Sequence, residues 1–497
     1  MSASRATPAA PAVPALTRES LGLGAPAPVR IVHIGLGAFH RSHQAWYTQA
    51  ADSAGEWGIA AFTGRSPGTA RTLAAQDGLY TLVERGPDGD THQVITSLSA
   101  AYDGADLARL AELLQAPATA VVTVTVTEAA YHLDPDSALD LAAGPVAADL
   151  ALLTGWWSAR GSLQLPGRAA ANPNDAANPD TAQPETELPV TMGGRVLTGL
   201  DARRRAGAGP IAVVSCDNLS GNGAAAAEAV LGLAQLIDAG LAAWVRANVS
   251  FVDTSIDRIT PRTTDADVAA VAAATGFADA SPVVAEPFRN WVLSGDFPAG
   301  RPAWEKAGAV FVGQIEHFER RKLWLLNGAH SLFAYAGQLR GHGTVVQALA
   351  DPVCAGWMED FWDEAAAYLR EPGLEIPAYR AALRERFGNQ RIAHQLAQIA
   401  MDGSSKLRMR AVPIIASHRQ DGLDAPGTAR LAAAWMDYVC GLLAGGGTVA
   451  DPQAEALSGL ASWQGRGQTQ ALLRLLSEEL AADAQVVDTV HGLRGSW

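Results

Sequence analysis

Residues 29–47 read VRIVHIGLGAFHRSHQAWY, and their reading decides the fold. The apolar run Val29–Ile34 ends in Gly35 and Gly37, and the residues after it keep helical spacing up to a glycine stop at Gly55. That is the order of a strand, a turn and a helix. In a dinucleotide-binding turn the first glycine permits the tight bend, the second lets the backbone approach a pyrophosphate, and the third allows helix and strand to pack closely. Gly35 and Gly37 meet the first two needs, and His40 stands where the third glycine is expected. Anion binding rests on free N–H groups and the helix dipole. His40 therefore bears on packing rather than on the phosphate. The expected cofactor contacts are Gly35, Leu36, Gly37, Ala38 and Phe39.

Outward from this turn, WGIAAFTGRSP (57–67) and the β-branched TAVVTVTVTEAAY (119–131) read as further strands, with a helix in GADLARLAELLQ (104–115) between them. GPIAVVSCDN (209–218) and RANVSFVDTSIDRITP (246–261) supply more strand-like runs. The alternation predicts an α/β fold, an N-terminal Rossmann-type, doubly wound sheet that is mostly parallel. The Pro-rich, apolar-poor stretch 165–189 reads as a loop insertion. From about residue 318 the texture changes to amphipathic helical segments and strand signals nearly vanish. The expected organisation is a disordered Ala/Pro-rich tail over 1–25, a dinucleotide-binding domain over 26–300, and an all-helical C-terminal substrate domain over 301–497.

A chain of 497 residues is long for a single core, which fits two domains. Its formal charge of −14 offers no basic field for nucleic-acid phosphates. The three cysteines, Cys216, Cys354 and Cys440, form no CxxC pair and suit a reducing, cytoplasmic setting. No run approaches a membrane span, and the N-terminus lacks the apolar core of a signal peptide. The expected partner is a small molecule, without nucleic acid or membrane. Oligomeric state is not legible.

An acidic residue ending the second strand would bond the ribose of NAD, whereas a nearby arginine accommodates the extra phosphate of NADP. Here the strand ends in Gly64, Arg65 and Ser66 without a carboxylate, so NADP stays open. Arg65 is equally readable as a solvated loop residue.

The densest chemistry lies in RRKLWLLNGAHSLFAY (320–335). On an α-helix at about 100° per residue, with Lys322 at zero, His330 falls near about 80° and Asn327 near about 140°, one broad face. A lysine among Leu323, Trp324, Leu325 and Leu326 would be partly desolvated and its pKa lowered toward that of a general base. Asn218 follows a strand at the carboxyl edge of the sheet, the usual ligand crevice. Asp257 follows another, and Asn222 reads as the cap of the next helix. Each has an ordinary alternative: a solvated lysine, a capping or turn asparagine, a packed histidine, an ion pair of Asp257 with Arg258. No histidine–carboxylate cluster shows metal-ligand spacing, so no metal is expected.

Taken together and in order, GLGAFHRSHQAWY, TVTEAAY, SCDNLSGNG, DRITP, EPFRNWV, KLWLLNGAHS and DGSSK resemble the polyol-specific long-chain dehydrogenases, the family of mannitol 2-dehydrogenase and fructuronate reductase. The resemblance implies NAD as cofactor, with Thr127 and Glu128 of TVTEAAY among its contacts, and a metal-free hydride transfer. It casts Lys322 as the general base, Asn218 and Asn327 as amides on the reacting oxygen, His330 as a substrate-binding partner of the lysine, and Asp257 and Lys406 as further substrate contacts. The leading expectation is an NAD-dependent oxidoreductase interconverting a straight-chain polyol and its ketose, such as D-mannitol and D-fructose. The alternative is a fructuronate reductase acting on D-fructuronate and D-mannonate, with a cation from Lys406, Arg408 or Arg410 for the carboxylate. A dinucleotide-binding sensor without turnover would show an eroded catalytic set, which this chain does not. One departure stands out: Gln398 occupies the position, eight before the lysine of DGSSK, where the family commonly carries a substrate-binding arginine.

Overall fold

The structure, a computed structural model, describes residues 13–64, 66–165, 187–392 and 394–497. Arg65, the tail up to residue 12 and most of the 165–189 segment lie outside the described residues. The chain divides into two compact units between Ile315 and Glu316.

In the first unit the strands are β1 (Val29–Ile34), β2 (Gly58–Phe62), β3 (Tyr80–Gly86), β4 (Gly89–Ile95), β5 (Leu98–Tyr102), β6 (Val121–Val124), β7 (Ile211–Ser215), β8 (Val249–Asp257), β9 (Val283–Ala285), β10 (Asn290–Ser294) and β11 (Val310–Phe311). An eight-stranded sheet takes the order β11-β10-β8-β7-β6-β1-β2-β5. Its pairings from β8 across to β5 are all parallel, whereas β10 runs antiparallel to β8. The parallel strands alone reproduce the doubly wound order, which reverses between β1 and β6 and opens a crevice at their carboxyl ends. Because β11 still pairs with β10, the first unit runs past the boundary expected at residue 300.

Strand side chains alternate between two cores, as a period of two requires. Val32, Ile34, Val122, Val124, Ile211 and Val213 face a core shared with the helices Leu107–Gln115, Met192–Ala206 and Asn222–Ile237. Ile31, Val121, Ala212 and Val214 face another, with Trp46, Leu73 and Trp291. Burial on both faces explains why these strands read as nearly unbroken apolar runs. The fully buried guanidinium of Arg203 ties the first layer together, donating to the carbonyls of Gly209 at 2.8 Å, Ala208 at 2.8 Å, Pro210 at 3.0 Å, Leu114 at 3.1 Å and Ala116 at 3.3 Å.

Several local expectations need correction. The run 119–131 is not one strand: β6 stops at Val124, and Glu128–Tyr131 form a 3-10 turn. The helix after the glycine turn is two helices, Ala38–Ser42 and Gln44–Ala51, broken at His43 with φ −116° and ψ −87°. The β3–β4 hairpin, joined with β9 into a second sheet, was not foreseen, although Pro87-Asp88-Gly89 between two alternating runs is a turn signal. Residues 13–25 are not all free tail. Ala15 bridges Ala278, Leu16 is buried, and Arg18 donates to the Thr96 carbonyl at 3.1 Å.

Every element of the second unit among the described residues is helical. Its helices carry their own caps. The Glu364 carboxylate accepts from the Gly427 and Thr428 amides at 2.7 and 2.6 Å at the start of Pro426–Ala444, and Asp351 accepts from Val353 at 2.9 Å at the start of Pro352–Ala366. Such contacts satisfy first-turn N–H groups that have no intrahelical acceptor. Among the described residues no helix is long and apolar enough to cross a membrane.

Candidate active site

In the first unit Gly35 has φ +107°, and a Cβ there would fall on the Thr125 carbonyl oxygen. Only glycine fits. The amides of Gly35 and Leu36 both bond the Phe62 carbonyl of β2, at 2.9 and 2.8 Å, and the Leu36 side chain lies in the core. The turn therefore presents to a ligand the amides of Gly37, Ala38 and Phe39, which open the helix Ala38–Ser42 where N–H groups lack intrahelical acceptors. A Cβ on Gly37 would meet nothing nearer than the Gly35 carbonyl at 3.6 Å, so the protein itself leaves this approach open. These features fit a dinucleotide pyrophosphate.

His40 solves the packing problem of the absent third glycine. Its ring stacks on that of His33 in β1 at 3.3 Å between centroids and 11° between planes. Thr125 Oγ1 donates to the Gly35 carbonyl at 2.8 Å, so at 3.1 Å it accepts from His33 Nε2–H, and His33 Nδ1 accepts from Thr123 Oγ1 at 2.9 Å. His33 is thereby held neutral, burial pushing its pKa down to about 3. His40 is lowered as well, by burial and then by the neighbouring His33 and Arg41. Arg41 turns to Ser281, donating to its carbonyl at 2.5 Å and its hydroxyl at 2.8 Å.

The other expected residues of this unit follow successive strands at the same carboxyl edge. Thr127 and Glu128 are exposed at the 3-10 turn after β6, Asn218 is exposed after β7, and Asp257 ends β8 as a buried residue. Asn222 is not a cap: Gly221, with φ 65°, takes that position, and the buried Asn222 side chain instead pairs with the backbone of Thr254 in β8. Arg258 is engaged by Glu84 and by the carbonyls of Glu286 and Ser42.

In the second unit Lys322 opens a π-helical segment, Lys322–Gly328, inside a longer helix. Here the α-helical angles expected from sequence do not apply. A π turn closes from residue i to i+5, so Asn327 comes round to stand one turn along from Lys322 rather than far around the helix. Two side chains bond carbonyls of the segment from outside, Trp362 Nε1 to Leu325 at 2.7 Å and Arg410 Nη1 to Asn327 at 3.1 Å. Gly328 faces Phe361 so closely that a Cβ would overlap its ring.

The Asn327 side-chain amide has no hydrogen-bond partner among the described residues. His330, buried, lies 4.8 Å from Phe387 and 4.9 Å from His394 between ring centroids. Burial, with His394, Arg386 and Arg410 nearby, holds it well below the ordinary histidine pKa, so it is a neutral imidazole. Arg410 Nη1 also donates to Ser331 Oγ at 2.9 Å, its Nε is buried without a partner, and no carboxylate pairs with it among the described residues. Burial lowers its pKa to about 10. The other candidate cations are turned elsewhere: Lys406 Nζ caps the carbonyls of Ile399 at 3.0 Å and Met401 at 2.6 Å, and Arg408 bonds the Leu475 carbonyl.

His342, Asp351 and Cys354 bring potential metal-ligating atoms within 4.8 Å of one another, a grouping with no signature in the sequence. Arg340 already bonds Asp351 Oδ2 at 2.5 Å, and His342 Nε2 bonds the same oxygen at 2.9 Å. The group reads as an ion-pair network at the Asp351 cap.

Two family models match the chain, the mannitol dehydrogenase Rossmann domain over residues 29–306 and the mannitol dehydrogenase C-terminal domain over 314–492. D-mannonate oxidoreductase of Escherichia coli (strain K12) is 35% identical, with 93% of this chain and 91% of the relative covered. Mannitol 2-dehydrogenase of Cereibacter sphaeroides is 36% identical over 86% of this chain and 84% of the relative. Among solved structures, Pseudomonas fluorescens mannitol 2-dehydrogenase in ternary complex with NAD and D-mannitol superposes with a TM-score of 0.70 at 34% identity, covering 95% of this chain and 92% of that one. The glycine turn, the doubly wound sheet and the helical unit bearing Lys322 are thus those of the mannitol dehydrogenase family, to which this chain belongs.

Proposed function

We propose that this chain is an NAD-dependent oxidoreductase that interconverts a secondary alcohol of a straight-chain sugar derivative and the corresponding ketone, with Lys322 as general base. The observation that carries the reading is the π turn, which sets the lysine and the unpartnered Asn327 amide on one side of a helix. NAD, held at the Gly35–Phe39 turn, supplies the hydride acceptor; the relative solved with NAD and D-mannitol supports that choice. Lys322 Nζ in its neutral form takes the hydroxyl proton. The amides of Asn327 and Asn218 donate to the substrate oxygen as negative charge grows on it, fixed dipoles that need no reorganisation. Neutral His330 hydrogen-bonds a neighbouring hydroxyl and Asp257 is a further substrate contact, whereas Lys406, its Nζ taken up by the Ile399 and Met401 carbonyls, drops out of the expected set.

Of the two substrate readings, polyol and hexuronate, Arg410 favours the second. A partly buried guanidinium without a carboxylate partner is costly unless an anion completes it, and Arg410 lies against the backbone of Asn327. We therefore assign D-fructuronate and D-mannonate, or a close sugar acid, ahead of D-fructose and D-mannitol. The test is initial-rate reduction of D-fructuronate and of D-fructose, each with NADH and NADPH. Preference for fructose would overturn the assignment. Lys322→Ala should abolish turnover while NADH still binds; unchanged turnover would remove Lys322 as the base.

A further inference from the structure

At the carboxyl edge of the sheet, side-chain hydrogen bonds tie the turn after β6 and the loop after β7 to the end of β8. Tyr131, which closes the 3-10 turn after β6, donates its hydroxyl to Asp217 Oδ2. Both are buried. The other oxygen of Asp217 accepts from the Leu219 amide at 2.9 Å, so the carboxylate straddles Asn218, bonded on one side to the turn after β6 and on the other to the residue after Asn218. The Asp217 carbonyl accepts from Asn222 Nδ2 at 3.2 Å. The same Asn222 amide grips Thr254 in both directions, accepting from its N–H at 2.8 Å and donating to its carbonyl at 2.9 Å, three residues before Asp257. Asn218 itself is exposed on a short loop, and such a side chain keeps one orientation only if its backbone is held.

We propose that Tyr131, Asp217 and Asn222 form a positioning network that sets Asn218, so that the amide meets the reacting oxygen without reorganising. This rests on the role given to Asn218 above. It explains why the tyrosine of TVTEAAY and the aspartate and second asparagine of SCDNLSGNG accompany the residues expected to touch ligands. The network acts through Asn218, and its loss should appear in turnover rather than in cofactor affinity.

The experiment is a double-mutant cycle on the full chain: Tyr131→Phe, Asn218→Ala and the pair, with kcat and KM for ketone reduction and the NADH dissociation constant from fluorescence. Tyr131→Phe should lower kcat on the order of tenfold while NADH affinity stays within about twofold. In the Asn218→Ala background it should lower kcat no further, because residues acting as one unit are not additive. A loss that multiplies on that background, or an unchanged kcat in Tyr131→Phe, would overturn the network. An unchanged kcat in Asn218→Ala would instead remove the role of Asn218, and the network with it. Should Tyr131→Phe fail to fold, Asp217→Asn, which keeps an oxygen for the Leu219 amide, carries the same cycle, and its loss too must vanish in Asn218→Ala.

Discussion

Replacing Arg410 by methionine tests substrate class and stability at once. The substitution keeps an unbranched stem and removes the charged guanidinium. A charge-assisted hydrogen bond is worth roughly 1.5–3 kcal/mol, so kcat/KM for D-fructuronate should fall roughly ten- to a hundredfold, while that for D-fructose, which has no carboxylate, stays within about twofold. Stability should move little. The Asn327 carbonyl and the Ser331 hydroxyl each lose a donor, at about 1 kcal/mol apiece, and removing a partly buried cation without a carboxylate partner offsets a cost of similar size. The melting temperature of the second unit should therefore shift by no more than about 4 °C. Steady-state kinetics on both ketones and a thermal scan suffice. Equal losses on the two ketones would show that Arg410 shapes the site without reading a carboxylate. A drop well beyond that range would show that the guanidinium is a structural pin.

The two glycines of the turn should respond differently. Gly35→Ala puts a Cβ on the Thr125 carbonyl at φ +107° and should yield little folded protein, whereas Gly37→Ala should fold normally and bind NADH at least about tenfold more weakly, read by fluorescence titration. Acid should destabilise the first unit through His33, whose folded pKa of about 3 lies below its ordinary 6.5: as pH falls below 6.5 only the unfolded chain takes the proton, so from pH 7 to 5 His33 alone removes roughly 2 kcal/mol. Chemical denaturation at both pH values should show a smaller difference for His33→Gln, and an identical difference would refute the assignment. Arg203→Met leaves a ring of buried carbonyls without donors and should cost at least about 3 kcal/mol, measured by the same method.

What was legible in the sequence followed from short-range rules. The glycine turn, the β-branched strands and the change of texture near residue 318 each state a local conformational preference, and the doubly wound order follows from their alternation. What was missed depends on contacts distant in the chain. The β3–β4 hairpin gains its place by the pairing of β3 with β9, whose residues lie 201 positions on, Leu82 opposite Val283, and Leu16 by its bond to Ala278. Among the cations Lys406, Arg408 and Arg410, composition could not say which faced Asn327, since two of them are drawn to main-chain carbonyls. At Lys322 the expected helix was wrong: the angular argument assumed an α-helical period, and the chain widens there into a π turn.

That widening and the missing third glycine have the same logic. At a functional turn the backbone departs from its most stable form, and neighbouring side chains hold the departure in place. In the second unit Trp362 and Arg410 take carbonyls of the widened turn, and Gly328 lets Phe361 press against it. In the first unit two flat imidazoles lie where a glycine would otherwise bring helix and strand together, and the same His33 ring reaches through Thr125 to the Gly35 carbonyl. His40 is thus one member of a small assembly that keeps Gly35 in its left-handed conformation and aims the Gly37, Ala38 and Phe39 amides outward. A third glycine would permit the same approach of helix to strand, but it would leave His33 without its stacking partner and the turn less firmly held.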